Sequence, residues 1–232
     1  SLYNCFMATV EHQDEVIIPA PYWVSYPDMV KLAKGVPVIV ATDAQDEFKV
    51  SASKLQEYIT ERSRWLVLNS PNNPTGMSYS AEELKDIAEV VKKHPRLGII
   101  SDDIYEDIHF TEKIVSIIDV APELKDRIMV VNGMSKSYAM TGWRIGYCIG
   151  NKEVIKAMKT IQSQSTSNPC SISQYAALEA LTGDQTFLYE TKKIFKARRD
   201  LIIKELSNIS GMSCVEPNGA IYFFPSCKQF FN

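Results

Sequence analysis

The sequence predicts an α/β protein, a three-layer sandwich in which a mostly parallel sheet lies between helices. Two observations support this prediction. Short, almost wholly apolar strands alternate with helices along most of the 232 residues, and repeated strand–helix–strand units of this kind are typical of a parallel sheet that is covered on both faces. In addition, the polar clusters of the sequence follow directly after strands, where ligands collect in such sheets.

The composition narrows the classes of function. Hydrophobic residues make up 45% of the chain and charged residues 23%, which suffices for one large domain, or for one domain and part of another. The net charge of −3 argues against binding to nucleic acid or to an anionic membrane. We therefore expect small molecules as partners.

The cysteines and the first residues bear on the cellular compartment. Five cysteines, an odd number without metal-ligand spacing, indicate reduced thiols and no metal site. No apolar run is long enough for a membrane span, and the first residues lack the pattern of a signal peptide. These features predict a soluble, cytoplasmic protein. Residues 1–10 resemble the middle of an apolar helix, so we expect the chain to begin inside a domain.

The alternation begins close to the N-terminus. Residues 15–19 form a predicted strand, and the Pro-Ala-Pro-Tyr-Trp that follows is an extended turn with Trp23 at the strand's carboxyl end. Residues 26–34 have the amphipathic pattern of a helix, for which Gly35 is the expected stop. Residues 36–41 are the next predicted strand.

Strands and helices then continue in alternation. The further predicted strands are residues 65–68, 97–100, 128–131 and 145–149. The further predicted helices are residues 53–62, a helix that starts after residue 80, residues 152–164 and residues 171–181. The clearest helix start is Ser80-Ala-Glu-Glu83, which has the pattern of a capping box, and Pro95 ends that helix.

The end of the sequence predicts the start of a second, smaller α+β domain. Residues 185–207 form a long predicted helix. Beyond it, residues 212–215 and 220–224 have the pattern of strands on either side of a Glu-Pro-Asn-Gly turn. The predicted division is a large domain at residues 1–206 and the beginning of a small domain at residues 207–232.

Lys136 is the central candidate for chemistry. It follows the predicted strand 128–131 at the mouth of the sheet, with Ser135 before it and Arg144 eight residues after it. Lysine forms Schiff bases with carbonyl compounds, and arginine binds phosphate through two parallel hydrogen bonds. The pattern indicates a covalent anchor beside an anion site. An ordinary surface turn with a solvated lysine remains the alternative from these residues alone.

Four polar clusters are expected to meet at one site. Trp23, Asn73, the pair Asp102 and Tyr105, and Lys136 each follow a predicted strand. Because the carboxyl ends of parallel strands lie along the same edge of a sheet, distant parts of the sequence would contribute to one pocket. Each cluster also has a plain structural explanation: a core tryptophan or tyrosine, an Asn-Pro turn, or an aspartate that caps a turn.

The lysine stretch identifies a family by resemblance. Ser135-Lys136, with Met-Thr-Gly-Trp-Arg-Ile-Gly after it, resembles the signature of aminotransferases that depend on pyridoxal phosphate and have the aspartate aminotransferase fold type, fold type I. The similarity covers essentially the whole chain and is greatest to the bacterial branch of aspartate/prephenate enzymes. It implies pyridoxal phosphate as the cofactor, held by Lys136 as a Schiff base, in a large domain of the predicted α/β architecture.

The resemblance also implies roles for the clustered residues. Asp102 would lie beside the pyridine nitrogen of the cofactor and keep it protonated, because a carboxylate raises the pKa of a neighbouring cation. Tyr105 and Asn73 would donate hydrogen bonds to the phenolic oxygen of the ring. Lys136 would act both as the anchor and as the general base that moves the substrate proton.

Three further residues complete the implied cofactor site. Trp23 would stack on the pyridine face, and Ser135 and Arg144 would hold the phosphate. Gly133 departs from the pattern, because some relatives have a phosphate-binding serine at that position. The resemblance places a glycine-rich phosphate loop upstream of the first residue and a carboxylate-binding arginine downstream of the last, so we expect a fragment that lacks both ends and is inactive alone.

The expected reaction is transamination between an amino acid, with aspartate favoured, and a 2-oxo acid such as 2-oxoglutarate or oxaloacetate. Prephenate, aromatic or alanine substrates, a related lyase or decarboxylase, and a regulator that binds the cofactor without catalysis remain alternatives. Relatives of this fold type are homodimers, and residues 164–169 resemble a segment used at that interface. A polar loop before a helix is the other explanation for this segment.

Overall fold

One sheet of six strands organises the part of the chain that the computed structural model describes, residues 1–111 and 114–231. In chain order the strands are β1 (Glu15–Ala20), β2 (Val36–Ala41), β3 (Ser63–Asn69), β4 (Gly98–Asp102), β5 (Ile128–Gly133) and β6 (Gly146–Ile149). Across the sheet the order is β2-β1-β3-β4-β5-β6. The first five strands are parallel and β6 runs antiparallel to β5, so the prediction of a mostly parallel sheet is confirmed.

Helices connect the strands and continue beyond them. In the described residues they are α1 (Leu2–Thr9), α2 (Ser25–Leu32), α3 (Ala52–Tyr58), α4 (Ala81–Lys93), α5 (Ile117–Val120), α6 (Lys152–Ser165), α7 (Ser171–Thr182) and α8 (Thr186–Ser207). Short 3₁₀ turns lie at Pro122–Arg127, Thr141–Trp143 and Lys228–Phe230. None of the helices in this part of the chain combines the length and the apolar composition that a membrane crossing requires.

Apolar side chains on both faces of the sheet produce the three layers. Successive residues of a strand point to opposite faces, and in β1 Ile17 belongs to one core cluster whereas Val16 and Ile18 belong to the other. The first cluster packs β1 and β3 against α3, α4 and α5, and the second packs them against α1, α2 and α6. The predicted sandwich therefore has two apolar cores, one on each face of the sheet.

Polar contacts mark both ends of α4. At its start, Ser80 Oγ accepts a hydrogen bond from the Glu83 N–H and the Glu83 carboxylate accepts one from the Ser80 N–H, which confirms the capping box. At its end, Arg127 Nη1 donates to three main-chain oxygens, those of Val91, His94 and Leu97. The helix that follows the loop after β3 is thus anchored at both ends.

The stop of α2 differs from the prediction in one respect. Lys34, and not Gly35, holds the left-handed conformation after the helix, with a φ of 65°, and its N–H donates to the Lys31 oxygen. The Gly35 N–H donates to the Val30 oxygen at 3.0 Å. A Cβ on Gly35 would come within 2.5 Å of Val10 Cγ1, so this position requires glycine for close packing and not for its backbone angles.

Helix α3 is shorter than the predicted residues 53–62. Ser51 caps its start by accepting a hydrogen bond from the Lys54 N–H. Past its end, the Thr60 N–H donates to the Ser63 hydroxyl and the Ser63 N–H donates back to the Thr60 oxygen. Because such local side-chain bonds compete with helical hydrogen bonds, the chain turns here and enters β3 earlier than predicted.

The predicted strands at residues 212–215 and 220–224 are not formed. Within the described residues this segment has only single-residue bridges, such as that between Ser213 and Ser226. Two short strands without a third are marginal on their own, and Ala220 adopts a left-handed φ of 58° that interrupts an extended run. The segment packs instead on the loops after β3 and β4. The division into two domains stays a prediction, and its residues 112–113 and 232 lie outside the described residues.

Candidate functional site

A cavity of about 480 Å³ opens at the carboxyl ends of β3, β4 and β5. All seven candidate residues of the sequence line it: Trp23, Asn73, Asp102, Tyr105, Ser135, Lys136 and Arg144. The register of the sheet explains why residues from distant parts of the sequence lie at one cavity. Asn69 pairs with Asp102, and Asp102 pairs with Val131, across these three adjacent strands. The loops that follow these residues therefore leave the sheet at one edge.

Asp102 is a buried carboxylate on the cavity wall. The residue is only 5% exposed, and its Oδ2 accepts a hydrogen bond from the Tyr26 hydroxyl at 2.6 Å. Burial raises the pKa of Asp102 to about 6, although the bond from Tyr26 opposes the rise and the nearby Asp103 adds to it. In the described part of the chain Asp102 forms no ion pair. A cationic group in the cavity would therefore stabilise the charged form of this carboxylate.

Asn69 fixes the loop that carries Asn73. Its Nδ2 donates to the main-chain oxygen of Asp102 at 2.8 Å, and its Oδ1 accepts a hydrogen bond from the Asn73 N–H at 2.7 Å. Asn73 itself is half-buried. One side-chain amide thus ties the ends of β3 and β4 together and holds Asn73 at the cavity.

Tyr105 is a buried residue that lines the cavity. Lys136 Nζ lies 5.8 Å from the centre of the ring, so the candidates that follow β4 and β5 are neighbours. The Tyr105 hydroxyl lies 2.6 Å from that of Tyr222. Burial raises the pKa of Tyr105 above its ordinary value. This phenol is therefore neutral at physiological pH and has a proton to donate.

The turn after β5 presents Lys136 without a charged partner. The residue is half-buried, and among residues 1–111 and 114–231 its Nζ forms no ion pair. The Ala139 N–H donates to the Lys136 oxygen at 3.0 Å, and Thr141 Oγ1 donates to the Ser135 oxygen at 2.9 Å. These bonds hold the turn, and the amine stays available for chemistry with a ligand.

Ser135 and Arg144 supply hydrogen-bond donors for an anion. Arg144 follows the 3₁₀ turn Thr141–Trp143 with a left-handed φ of 53°, and its Nη1 donates to the Thr141 oxygen at 2.7 Å. The residue is otherwise exposed. A guanidinium and a hydroxyl that line the same cavity suit a phosphate group, which accepts several such bonds.

Trp23 borders the cavity with 37% of its surface exposed. Its ring meets the ring of Tyr26 edge to face, with centroids 5.4 Å apart and an interplanar angle of 88°. Tyr26 in turn donates to Asp102. An aromatic face close to the buried carboxylate is therefore available to a flat ring.

Comparison with known proteins establishes the family. The model of the family "Aminotransferase class I and II" matches residues 1–230. The chain belongs to this aminotransferase family. It is 54% identical to the probable aspartate/prephenate aminotransferase of Rickettsia bellii, over 99% of this chain and 58% of that protein. It is 52% identical to the aspartate/prephenate aminotransferase of Cereibacter sphaeroides, over 97% of this chain and 56% of the relative.

Solved structures of aminotransferases agree with this assignment. The crystal structure of the aspartate aminotransferase from Rhizobium meliloti matches with a TM-score of 0.96 at 48% identity, over 97% of this chain and 57% of that one. A double mutant of the Thermus thermophilus aspartate aminotransferase matches with a TM-score of 0.91 at 42% identity, over 96% of this chain and 58% of that one. This aminotransferase chain thus spans less than two thirds of the length of the relatives it matches.

Aminotransferases of this class depend on pyridoxal phosphate, and the residues of the cavity suit that cofactor. A pyridinium nitrogen would supply the cation that favours the charged form of the buried Asp102. Lys136 is an amine for the aldehyde of the cofactor, and Ser135 and Arg144 are donors for its phosphate. In the part of the chain that the structure describes, no group of three or more His, Cys, Asp or Glu side chains could hold a metal ion.

Three residues that line the cavity are not singled out by the sequence: Tyr26, Asn69 and Tyr222. Tyr26 is visible only as one position of an amphipathic helix, one helical turn after Trp23. Asn69 is visible as the polar end of a strand. The helical position of Tyr26 and the strand-end position of Asn69 are therefore sequence signals for these two residues. Tyr222 has no such signal, because it lies in a segment whose predicted strands do not form.

Proposed function

We propose that this chain is the cofactor-binding part of an aspartate transaminase, which transfers an amino group between aspartate and a 2-oxo acid such as 2-oxoglutarate or oxaloacetate. One observation carries the proposal. Lys136, which has no ion-pair partner among the described residues, and the buried carboxylate of Asp102 line the same cavity in a chain of the aminotransferase family. The names of the relatives support aspartate as the amino donor.

The polar and aromatic residues around Asp102 hold the cofactor in this proposal. Pyridoxal phosphate, when bound, supplies an electron sink for the negative charge that develops on the substrate's α-carbon. The Asp102 carboxylate holds the proton on the pyridine nitrogen, and the Tyr26 hydroxyl keeps the carboxylate in place. Trp23 stacks on the pyridine face. Ser135 and Arg144 bind the phosphate.

Lys136 performs the proton transfer in this proposal. Its amine would hold the cofactor at the aldehyde carbon, with loss of water, until the amino group of the substrate takes that position. The free Nζ would then serve as the general base that takes up the proton of the substrate's α-carbon and gives it back during the transfer. Tyr105 and Asn73 donate hydrogen bonds to the phenolic oxygen of the ring, where they stabilise negative charge.

Prephenate is the second candidate substrate, because several relatives are named aspartate/prephenate aminotransferases. Both reactions need the same proton transfer at Lys136, and they differ in the side chain that the pocket has to receive. The ratio of kcat/KM for prephenate to that for 2-oxoglutarate, with aspartate as the donor, distinguishes the two candidates.

We expect this activity from the protein expressed from its complete reading frame and negligible turnover from the 232 residues alone. Trp23 and Arg144, which would contact the cofactor, are exposed to solvent in this chain. If the cofactor loses even one charge-assisted contact, its binding weakens by about 2–5 kcal/mol. Each protein is mixed with pyridoxal phosphate, aspartate and 2-oxoglutarate, and the production of oxaloacetate is measured. Equal rates contradict the inactivity of the chain alone, and no oxaloacetate from either protein contradicts the proposed reaction.

A homodimer is the proposed state of assembly. Helix α7 exposes three large apolar side chains at helical spacing, Ile172, Tyr175 and Leu178, each more than half accessible. An apolar stripe of this kind, next to the polar residues 164–169, fits a surface that a second copy covers. Sedimentation of the complete protein is expected to give twice the mass of one chain, and Tyr175→Lys together with Leu178→Lys to give monomers. A complete protein that stays monomeric at high concentration contradicts the proposal.

A further inference from the structure

The hydroxyl group of Tyr222 meets the hydroxyl group of Tyr105 at the cavity. The two oxygens are 2.6 Å apart, and the rings pack edge to face with centroids at 5.5 Å and an angle of 81°. Tyr222 also lines the cavity itself. The two residues are 117 positions apart in the sequence, so a contact within the site depends on the C-terminal segment of the chain.

The main chain just before Tyr222 is fixed to the loop after β3. The Gly76 oxygen accepts hydrogen bonds from the N–H groups of Asn218 at 3.1 Å and Gly219 at 2.9 Å. Asn218 Oδ1 accepts from both the N–H and the hydroxyl of Ser78, each at 2.8 Å. Neither Gly76 nor Gly219 has room for a side chain at this joint. The main chain that leads to Tyr222 is therefore held in one position against the loop after β3.

The same segment is also fixed to the loop that carries Tyr105. The Ala220 N–H donates to the Ile108 oxygen at 2.8 Å, and the Phe110 N–H donates to the Asn218 oxygen at 2.9 Å. Ala220 is fully buried and belongs to the same apolar cluster as Tyr105 and Ile108. Main-chain bonds on both sides thus keep the two tyrosines together.

The number of protons in this pair limits what each tyrosine does. A phenol hydroxyl has one proton to donate and can accept two hydrogen bonds. If Tyr105 donates to Tyr222, it has no proton left for a group in the cavity. If Tyr222 donates to Tyr105, the proton of Tyr105 is free for such a group, and a hydroxyl that accepts a bond becomes a stronger donor. Only the second arrangement is compatible with Tyr105 as a donor to the cofactor.

We propose that Tyr222 is a positioning residue of the cofactor site: its hydroxyl donates to Tyr105 and directs the single Tyr105 proton at the phenolic oxygen of the cofactor. This inference rests on the proposed function, since it requires Tyr105 to face that oxygen. Tyr222 acts through Tyr105. The alternative is a purely structural role, in which Tyr222 only docks the C-terminal segment.

The expected effect is a shift in a titration. A donor at the phenolic oxygen stabilises negative charge there, so the nitrogen that joins Lys136 to the cofactor loses its proton at a lower pH. Removal of the donor raises the midpoint of that titration. We expect Tyr105→Phe to raise the midpoint by about 1 pH unit. Tyr222→Phe should raise it by roughly 0.3 unit, because it only weakens the same hydrogen bond.

The test is a pH titration of the visible absorbance of the cofactor-loaded protein, expressed from its complete reading frame. The unsubstituted protein is compared with Tyr105→Phe, Tyr222→Phe and the double variant. The double variant should titrate like Tyr105→Phe, because Tyr222 has nothing to orient once the Tyr105 hydroxyl is gone. An unshifted Tyr222→Phe beside a shifted Tyr105→Phe overturns the inference and leaves the proposed function standing. A Tyr222→Phe shift that persists in the double variant does the same.

Phe224→Ala is the control for a loosened segment. Phe224 packs edge to face on Phe48, with centroids 5.3 Å apart, and takes no part in the pair of hydroxyls. The titration midpoint of the Phe224→Ala variant should equal that of the unsubstituted protein. A shift as large as that of Tyr222→Phe overturns the inference, because docking of the segment and not the hydroxyl would then set the midpoint. A protein that binds no chromophore overturns both the inference and the proposed function.

Discussion

Lys136→Ala is expected to lower the rate of transamination by at least about four orders of magnitude. A general base contributes about 10²–10⁴-fold to a rate, and the same substitution also removes the amine that anchors the cofactor covalently. Pyridoxal phosphate should still bind, more weakly, because Asp102, Ser135 and Arg144 remain at the cavity. The measurement is kcat with aspartate and 2-oxoglutarate.

Two comparisons make this result specific to Lys136. Lys49→Met is the matched control, because Lys49 is also half-buried but pairs with Glu47 and Glu83 away from the cavity, and it should keep its turnover. Borohydride reduction of the cofactor-loaded protein, followed by peptide mapping, should place the pyridoxyl group on Lys136. Near-normal turnover of Lys136→Ala, or an adduct on another lysine with none on Lys136, would show that the anchor lies elsewhere.

Asp102→Asn is expected to slow the proton transfer by about 10²–10³-fold, the usual loss when one electrostatic contact to the reacting group is removed. The amide is nearly the same shape, and its oxygen can still accept the bond from Tyr26. It carries no charge, however, so it no longer holds the proton on the pyridine nitrogen. Single-turnover kinetics with aspartate measure the rate, and the absorbance of the bound cofactor checks that binding persists.

Asp103→Asn is the matched control for this variant. Asp103 is the next residue and is also buried, at 3% exposure. Its carboxylate accepts hydrogen bonds from the Ser101 hydroxyl at 2.6 Å and the Ser116 hydroxyl at 2.7 Å. Its turnover should stay close to that of the unsubstituted protein. Equal losses in both variants, or near-normal proton transfer in Asp102→Asn, would remove Asp102 from the proposed mechanism.

The same Asp102→Asn variant has a second readout, its stability without cofactor. The pKa of Asp102 is raised by burial to about 6 from an ordinary value of 3.8. A folded state that holds this proton more tightly than the unfolded chain loses stability as the pH rises from about 4 to 6. Above that window the variant, which buries no charge, should be more stable by up to about 3 kcal/mol. Urea unfolding at pH 4 and at pH 7 should show the difference only at pH 7.

Local sequence patterns were sufficient to predict the helix boundaries that depend on interactions between residues close in sequence. The capping box at Ser80 and Glu83 predicts the start of α4, and the predicted helices 152–164 and 171–181 end within one residue of α6 and α7. The rule that ligands lie beyond the carboxyl ends of parallel strands was sufficient to group the candidate residues. That rule requires only that the strands are parallel and belong to one sheet, which their almost wholly apolar composition indicates.

Contacts between distant residues could not be read from periodicity. Tyr26 has the pattern of one position in a helix, and only the fold brings its hydroxyl to Asp102, 76 residues later. Residues 212–215 and 220–224 have the pattern of strands, yet the main chain of Asn218 and Ala220 bonds to the loops after β3 and β4. An alternating pattern indicates which residues favour an extended chain, but it does not specify which neighbour accepts their hydrogen bonds.

The joint between Gly76 and Gly219 limits how this sequence can be recombined with those of its relatives. A side chain on Gly76 would overlap Pro217, and one on Gly219 would overlap Pro71. The two stretches of chain therefore have to match each other, although more than 130 residues of sequence lie between them. A chimaera that takes residues 207–232 from another parent needs the loop after β3 from that same parent, and a single crossover between the two separates surfaces that fit only as a pair.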